Sequence, residues 1–263
     1  MRFLLALVLI AASALAQAEI KTQVVHYPGP DGIDLIGYHA YDDSFTGARP
    51  GVIVVHEWWG LNDYVKRRAR ELAALGYSAM AIDMYGQGKN TEHPQDAMGF
   101  LQTATKDSDA AARRFDAGVA ALKQLPPTDP QKIAAIGYCF GGKVVLDAAR
   151  RGVPLAGVVS FHGPLATQTP ATRGSVVAPI LVEHGGSDSM VTPQNVAAFK
   201  QEMADANAAY EFVSIEGAKH GFTNPDSDRL SHGEHGGPDI GYNESADKSS
   251  WEDMKAFLAK VFK

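Results

Sequence analysis

Ile136-Gly137-Tyr138-Cys139-Phe140-Gly141-Gly142 is the stretch on which the reading of this chain turns. Lys132 to Gly137 leads into it as an apolar strand, and Gly142 to Arg151 follows it as a helix. Gly137 and Gly141 stand two residues to either side of Cys139. A strand that turns this sharply into a helix has no room for side chains beside the turn, so the central residue projects above the sheet. This is the pattern of a nucleophile elbow, with Cys in place of Ser. The helix beginning just after Cys139 offers free N–H groups and its positive dipole end, both of which favour thiolate over thiol. Cys139 is the only cysteine among 263 residues, so it cannot form an internal disulfide. A lone thiol is either packed as a small hydrophobe or used.

Outward from the elbow, strands alternate with helices. Thr22 to Tyr27 and Leu35 to Tyr41, joined by the turn Pro28-Gly29-Pro30-Asp31-Gly32, read as an antiparallel hairpin that opens the fold. Val52 to Val55 is a continuous apolar run, followed by an irregular loop from His56 to Gly60 and a helix from Asp63 to Leu75. Tyr77 to Ile82 is a further strand; a long polar loop then leads to a helix from Ser108 to Leu125, with Phe115, Val119 and Leu122 on one face. Val158 and its neighbours, Pro179 to Glu183 and Tyr210 to Ile215 supply three more strands, and helices fall at Pro193 to Asn207 and Trp251 to Phe262. Repeated β-then-α order predicts an α/β fold with a mostly parallel sheet covered by helices on both faces. The connection between Val158 and Ile180 leaves no space for a large cap domain, and Gly221 to Ser249 reads as one long loop that could act as a lid.

Met1-Arg2, an apolar run from Phe3 to Ala12 and the small residues up to Ala18 have the make-up of a secretory signal peptide, cleaved after Ala16 or Ala18. The run is too short for the roughly 20 residues that span a bilayer. The expected mature protein is a single domain over residues 19 to 263, periplasmic or secreted and free of the membrane. With 24 basic and 30 acidic residues the net charge is -6, which argues against nucleic acid as a partner.

A thiol nucleophile needs a base, and the base needs an orienting acid. Elbow-type hydrolases present them in the chain order nucleophile, acid, histidine. Asp188, in His184-Gly185-Gly186-Ser187-Asp188, and His220, in Ala218-Lys219-His220-Gly221-Phe222, follow that order. Each lies just past a strand, where the carboxyl ends of an open α/β sheet form the ligand crevice.

Val54-Val55-His56-Glu57-Trp58-Trp59-Gly60-Leu61, Gly137 to Gly142, Gly186-Ser187-Asp188 and His220-Gly221-Phe222 together resemble the dienelactone hydrolase family, from about residue 33 to the C-terminal helix. The resemblance implies an α/β-hydrolase fold and a carboxylic ester hydrolase with Cys139, His220 and Asp188 as its triad. It also implies that Glu57 contacts the resting thiol and that the N–H groups of Trp58 and Phe140 form the oxyanion hole. The Phe140 role agrees with the elbow itself, whose next residue donates its N–H to an oxyanion. Trp59 and Tyr138 are candidates for the substrate pocket. Where the family's namesake binds a substrate carboxylate with two arginines, this chain carries Gln87 and Asn224. Neither is cationic, so a small, neutral ester or lactone is expected rather than dienelactone itself. Lys89, the nearest cation, reads as a solvated lysine.

His232, Glu234, His235 and Asp239 raise the question of a metal, but no His-Glu-x-x-His helix or cysteine cluster accompanies them, and no metal or other cofactor is expected. His56 and His162 read as satisfied polar groups at strand ends. A thiol-based redox or sensing protein on the same fold is the alternative to a hydrolase. The oligomeric state is not written in the sequence, and a monomer suffices for the site.

Overall fold

The computed structural model describes residues 19–30, 32–231 and 238–263, so the leader lies outside the described residues. β1 (Ile20–Pro28) and β2 (Asp34–Asp42) pair antiparallel along their whole length, and β2 continues antiparallel onto β4 (Ser78–Ile82). The remaining strands are parallel: β3 (Arg49–Val55), β5 (Thr128–Tyr138), β6 (Val158–Phe161), β7 (Ile180–Gly185) and β8 (Tyr210–Ile215). The eight strands lie in the order β1-β2-β4-β3-β5-β6-β7-β8. This is the mostly parallel sheet with an N-terminal hairpin that the sequence predicts.

The helices divide between the two faces, and the strands show why. Val52, Ile53, Val54 and Val55 are all fully buried, because side chains alternate across a sheet that is covered on both sides. Ile53, Val55, Ile133 and Ala135 meet α3 (Ser108–Lys123), α4 (Phe140–Arg150) and α5 (Pro193–Asp205) through Phe115, Val145 and Phe199. Val52, Val54, Ile136 and Tyr138 meet α1 (Asp63–Ala74) and α7 (Glu244–Val261) through Val65, Leu72, Met254 and Leu258. Residues 162–179, between β6 and β7, hold no helix or strand, so no large cap rises there.

Three elements differ from the expectation. The polar loop after β4 contains α2 (Pro94–Thr105), which buries only Ala97 and Ala104 and so leaves too little apolar periodicity to be seen. The Gly221 to Ser249 segment contains α6 (Ser227–Ser231) and the first turns of α7. Those turns are polar and exposed apart from buried Ala246, and they are started by Asn243, whose side chain accepts the Ala246 N–H at 3.0 Å. Helix α4 begins at Phe140 rather than Gly142, because Cys139 itself is the cap.

Candidate active site

Cys139 ends β5 with φ +52°, a backbone state that a non-glycine residue holds only under constraint. The neighbouring glycines supply that constraint. A Cβ on Gly137 would lie 2.1 Å from the Gly141 carbonyl oxygen, and one on Gly141 would lie 2.2 Å from the Val55 carbonyl oxygen. Helix α4 thus starts in backbone contact with both β5 and the end of β3. The Cys139 thiol remains partly exposed.

His220 and Asp188 come together below it. His220 Nδ1 donates to Asp188 Oδ2 at 2.8 Å, while Asp188 Oδ1 accepts the Met190 N–H at 2.8 Å. Both side chains are buried. His220 Nε2 has no hydrogen-bond partner among the described residues, and the imidazole lies within electrostatic reach of the Cys139 sulfur. Burial disfavours the charged ring; charge on the sulfur and the Asp188 hydrogen bond outweigh this and push His220 up to about 10.

Glu57, 4% exposed, follows β3 at the mouth of the sheet. Burial raises its carboxyl to about 7, against the opposing pull of Asn224 and the charge on His220. Asn224 is not free to meet substrate, which corrects one expectation. Its Nδ2 donates to Glu57 Oε2 at 2.7 Å and its Oδ1 accepts the Asp226 N–H at 3.0 Å. Tyr138 and Trp59 are corrected as pocket walls too. Tyr138 alternates to the α1 face of β5 and stacks on Phe161 with ring centres 4.7 Å apart, fully buried. Trp59, 1% exposed, packs with Ala97, Leu230 and Ile240. Gln87 is exposed, in a left-handed turn of φ +59° after β4, and Lys89 is exposed nearby.

The N–H of Phe140 is the first of α4 and has no preceding turn to bond to. The Trp58 N–H is likewise unengaged among the described residues. The loop bearing Trp58 is held from the β4 side: Tyr85 Oη donates to the Trp58 carbonyl at 2.9 Å, Leu61 N–H to Lys89 and Thr91 N–H to Trp59. Tyr85 also stacks on Phe140. Nothing in Tyr85-Gly86-Gln87 marked it as the strut between the two loops.

His56 and His162 are satisfied polar groups. His56 Nδ1 donates to the Glu57 carbonyl and Nε2 accepts the Met84 N–H. His162 bonds to Cys139 and Thr223. His232, Glu234 and His235 lie outside the described residues, and Asp239 is paired with Lys219 and Ser189 at 2.8 Å each. No group of three or more potential metal ligands exists among the described residues. A surface cavity of about 320 Å³, lined by Gly217, Lys219, Ile240 and Tyr242 among others, opens beside His220 but is lined by none of Cys139, Glu57 and Asp188.

Known proteins similar to this chain agree on its family and fold. The model of the dienelactone hydrolase family matches residues 35–262. The chain belongs to the dienelactone hydrolase family. A Salmonella typhimurium protein named "Putative carboxymethylenebutenolidase" is 27% identical, with 95% of this chain and 94% of that one aligned. A Bradyrhizobium protein named a probable 2-oxo-3-(5-oxofuran-2-ylidene)propanoate lactonase is 29% identical over 67% of this chain and 75% of its own. Among solved structures, a dienelactone hydrolase-like promiscuous phosphotriesterase from metagenomic libraries superposes with a TM-score of 0.84 at 33% identity, covering 93% of this chain and 99% of that one. This family member is thus a hydrolase on an α/β-hydrolase fold.

Proposed function

We propose that the protein hydrolyses small, uncharged carboxylic esters or lactones through a covalent thioester on Cys139. The observation that carries the reading is the constrained elbow of Cys139 facing an imidazole whose far nitrogen is fixed by Asp188. The thiolate attacks the carbonyl carbon, and the N–H groups of Trp58 and Phe140 receive the developing oxyanion. The carbon–oxygen bond then breaks, and the alkoxide leaves with the proton held on His220 Nε2. Water next gives a proton to His220 and attacks the thioester, releasing the acid and regenerating the thiolate. Asp188 fixes the tautomer and stabilises the imidazolium throughout. The neutral Gln87, and an Asn224 committed to Glu57, leave no arginine clamp at the positions where the namesake binds a carboxylate.

The test is hydrolysis of short p-nitrophenyl esters with and without iodoacetamide, followed by mass analysis of the alkylated peptide. Turnover lost in step with alkylation of Cys139, and absent in folded Cys139→Ala, is the expected result. Full esterase activity in Cys139→Ala ends the assignment, while ready alkylation without any turnover moves the protein to the redox reading. A second substrate class is favoured by the phosphotriesterase relative, with which nearly all of this chain aligns. The same thiolate and oxyanion donors suit attack at a neutral phosphotriester, and paraoxon in the same assay tests this. We propose export as well, checked by N-terminal sequencing of the mature protein for a start at Gln17 or Glu19.

A further inference from the structure

His162 is buried, and its backbone has φ +40°, so it is a second constrained residue standing beside Cys139 on the adjacent strand end. The two are linked directly. The Cys139 N–H donates to His162 Nδ1 at 3.1 Å and shares its hydrogen with the Phe161 carbonyl at 3.0 Å. An amide N–H can only donate, so Nδ1 must be the bare nitrogen and Nε2 must carry the proton. That proton points to Thr223 Oγ1 at 2.8 Å, and Thr223 in turn bonds Tyr64 Oη at 2.6 Å. Arg68 closes the network by donating to the Tyr64 oxygen, to the Thr223 carbonyl at 2.8 Å and to Asp247 on α7. The His162 ring stands edge-on to His220, centres 5.2 Å apart.

From this arrangement we propose that His162 is a positioning residue for the nucleophile, its bare Nδ1 holding the Cys139 N–H while its Nε2–H is anchored on Thr223. The proposal rests on Cys139 being the nucleophile. A proton on Nδ1 would oppose the Cys139 N–H and release the elbow, drawing the sulfur away from His220 Nε2. Burial and the charge on His220 keep the ring neutral. The titratable and charged groups around it are Cys139 at the β5–α4 elbow, His220 after β8, Tyr138 on β5, and Tyr64 and Arg68 on α1.

Thr223→Val removes the hydroxyl with little change of shape, leaving the buried Nε2–H without its anchor and the ring free to turn; Thr223→Ser keeps it. His162→Phe removes the acceptor altogether, and His162→Asn offers a shorter one. The first readout is the rate of Cys139 alkylation by iodoacetamide against pH, which needs no substrate and so stands apart from the hydrolase assignment. In Thr223→Val and His162→Phe the midpoint should move up by about one unit, an approximately tenfold loss of thiolate on the acidic side. Thr223→Ser and, in part, His162→Asn should recover it. The second readout is kcat against KM for an ester, with the loss expected in kcat. The third is the nitrogen-15 spectrum of histidine-labelled protein, where Thr223→Val should shift the Nε2 resonance of one ring. If folded Thr223→Val keeps the wild-type alkylation midpoint and Nε2 resonance, the proposal is overturned, whatever the fate of His162→Phe. A protein without esterase activity that shows these shifts would overturn the hydrolase reading and leave the role of His162 standing.

Discussion

Glu57 is the residue whose charge changes where such an enzyme works. Its carboxyl, raised to about 7 by burial, is protonated at pH 6 and ionised at pH 8. Ionised Glu57 favours the cationic form of His220, the form that protonates the leaving alkoxide. The ester kcat/KM should therefore rise through a limb centred near pH 7. In Glu57→Gln that limb should vanish, with several-fold lower activity at pH 8 and little change at pH 6. A variant that still shows the inflection would assign the limb to another group. The identities of Cys139, Asp188 and His220 were legible because each is a loop residue at a strand end, where sequence order and turn chemistry are local signals. Asn224 and Tyr138 were not. Asn224 is committed to a residue 167 positions away, and Tyr138 turns from the crevice because strand alternation places it opposite Gly137. The Asn224 bond has no local signature, nor do the long-range bonds of His162, Thr223 and Tyr64, whereas the direction of Tyr138 follows from period-two alternation once β5 is seen to run on to Tyr138.

At the scale of elements, the site depends on how closely α4 approaches β3. Gly141 sits where any Cβ would press into the carbonyls of Val55 and His56, both at the mouth of the sheet. Gly141→Ala must lift the start of α4 or push back the loop that carries Glu57 and Trp58. Overpacking of this kind typically destabilises by about 1–3 kcal/mol. The N–H groups of Trp58 and Phe140 stand on the two elements being separated, so kcat should fall at least about tenfold, a shift of roughly 1.4 kcal/mol in the barrier. Thermal unfolding together with ester kinetics tests this, and a Gly141→Ala enzyme of unchanged kcat would show that the approach is not needed. The central parallel strands and α1 and α3 were visible in the sequence because they bury continuous runs or clear stripes. The α2 helix and the opening of α7 were hidden because they bury few side chains; α2 starts with no side-chain cap at all, and α7 with the single Asn243 contact that periodicity does not register.

Across the described residues, two buried arginines are paired with carboxylates of other helices. Arg68 joins α1 to Asp247 of α7, and Arg150 of α4 binds Glu202 of α5 at 2.8 Å. Glu183 on β7 breaks this pattern. It is fully buried on the face covered by α7, neither carboxyl oxygen has a hydrogen-bond partner among the described residues, and the charged neighbour acting on it is Asp253 of α7, also acidic. Burial first, and Asp253 second, raise it from 4.5 to about 8. The folded protein therefore holds this proton more tightly than the unfolded chain, so the group's contribution is complete below about pH 4.5 and is lost as pH rises toward 8. Each unit of difference is worth about 1.4 kcal/mol, so on the order of a few kcal/mol is lost across that window. Glu183→Gln cannot ionise and should escape the loss. Its stability relative to wild type, from urea unfolding at fixed temperature, should improve steadily between pH 5 and pH 8 and level off above. An offset that stays constant over that range would mean that Glu183 keeps an ordinary carboxylate affinity, and that a partner unseen in the folded chain carries its charge.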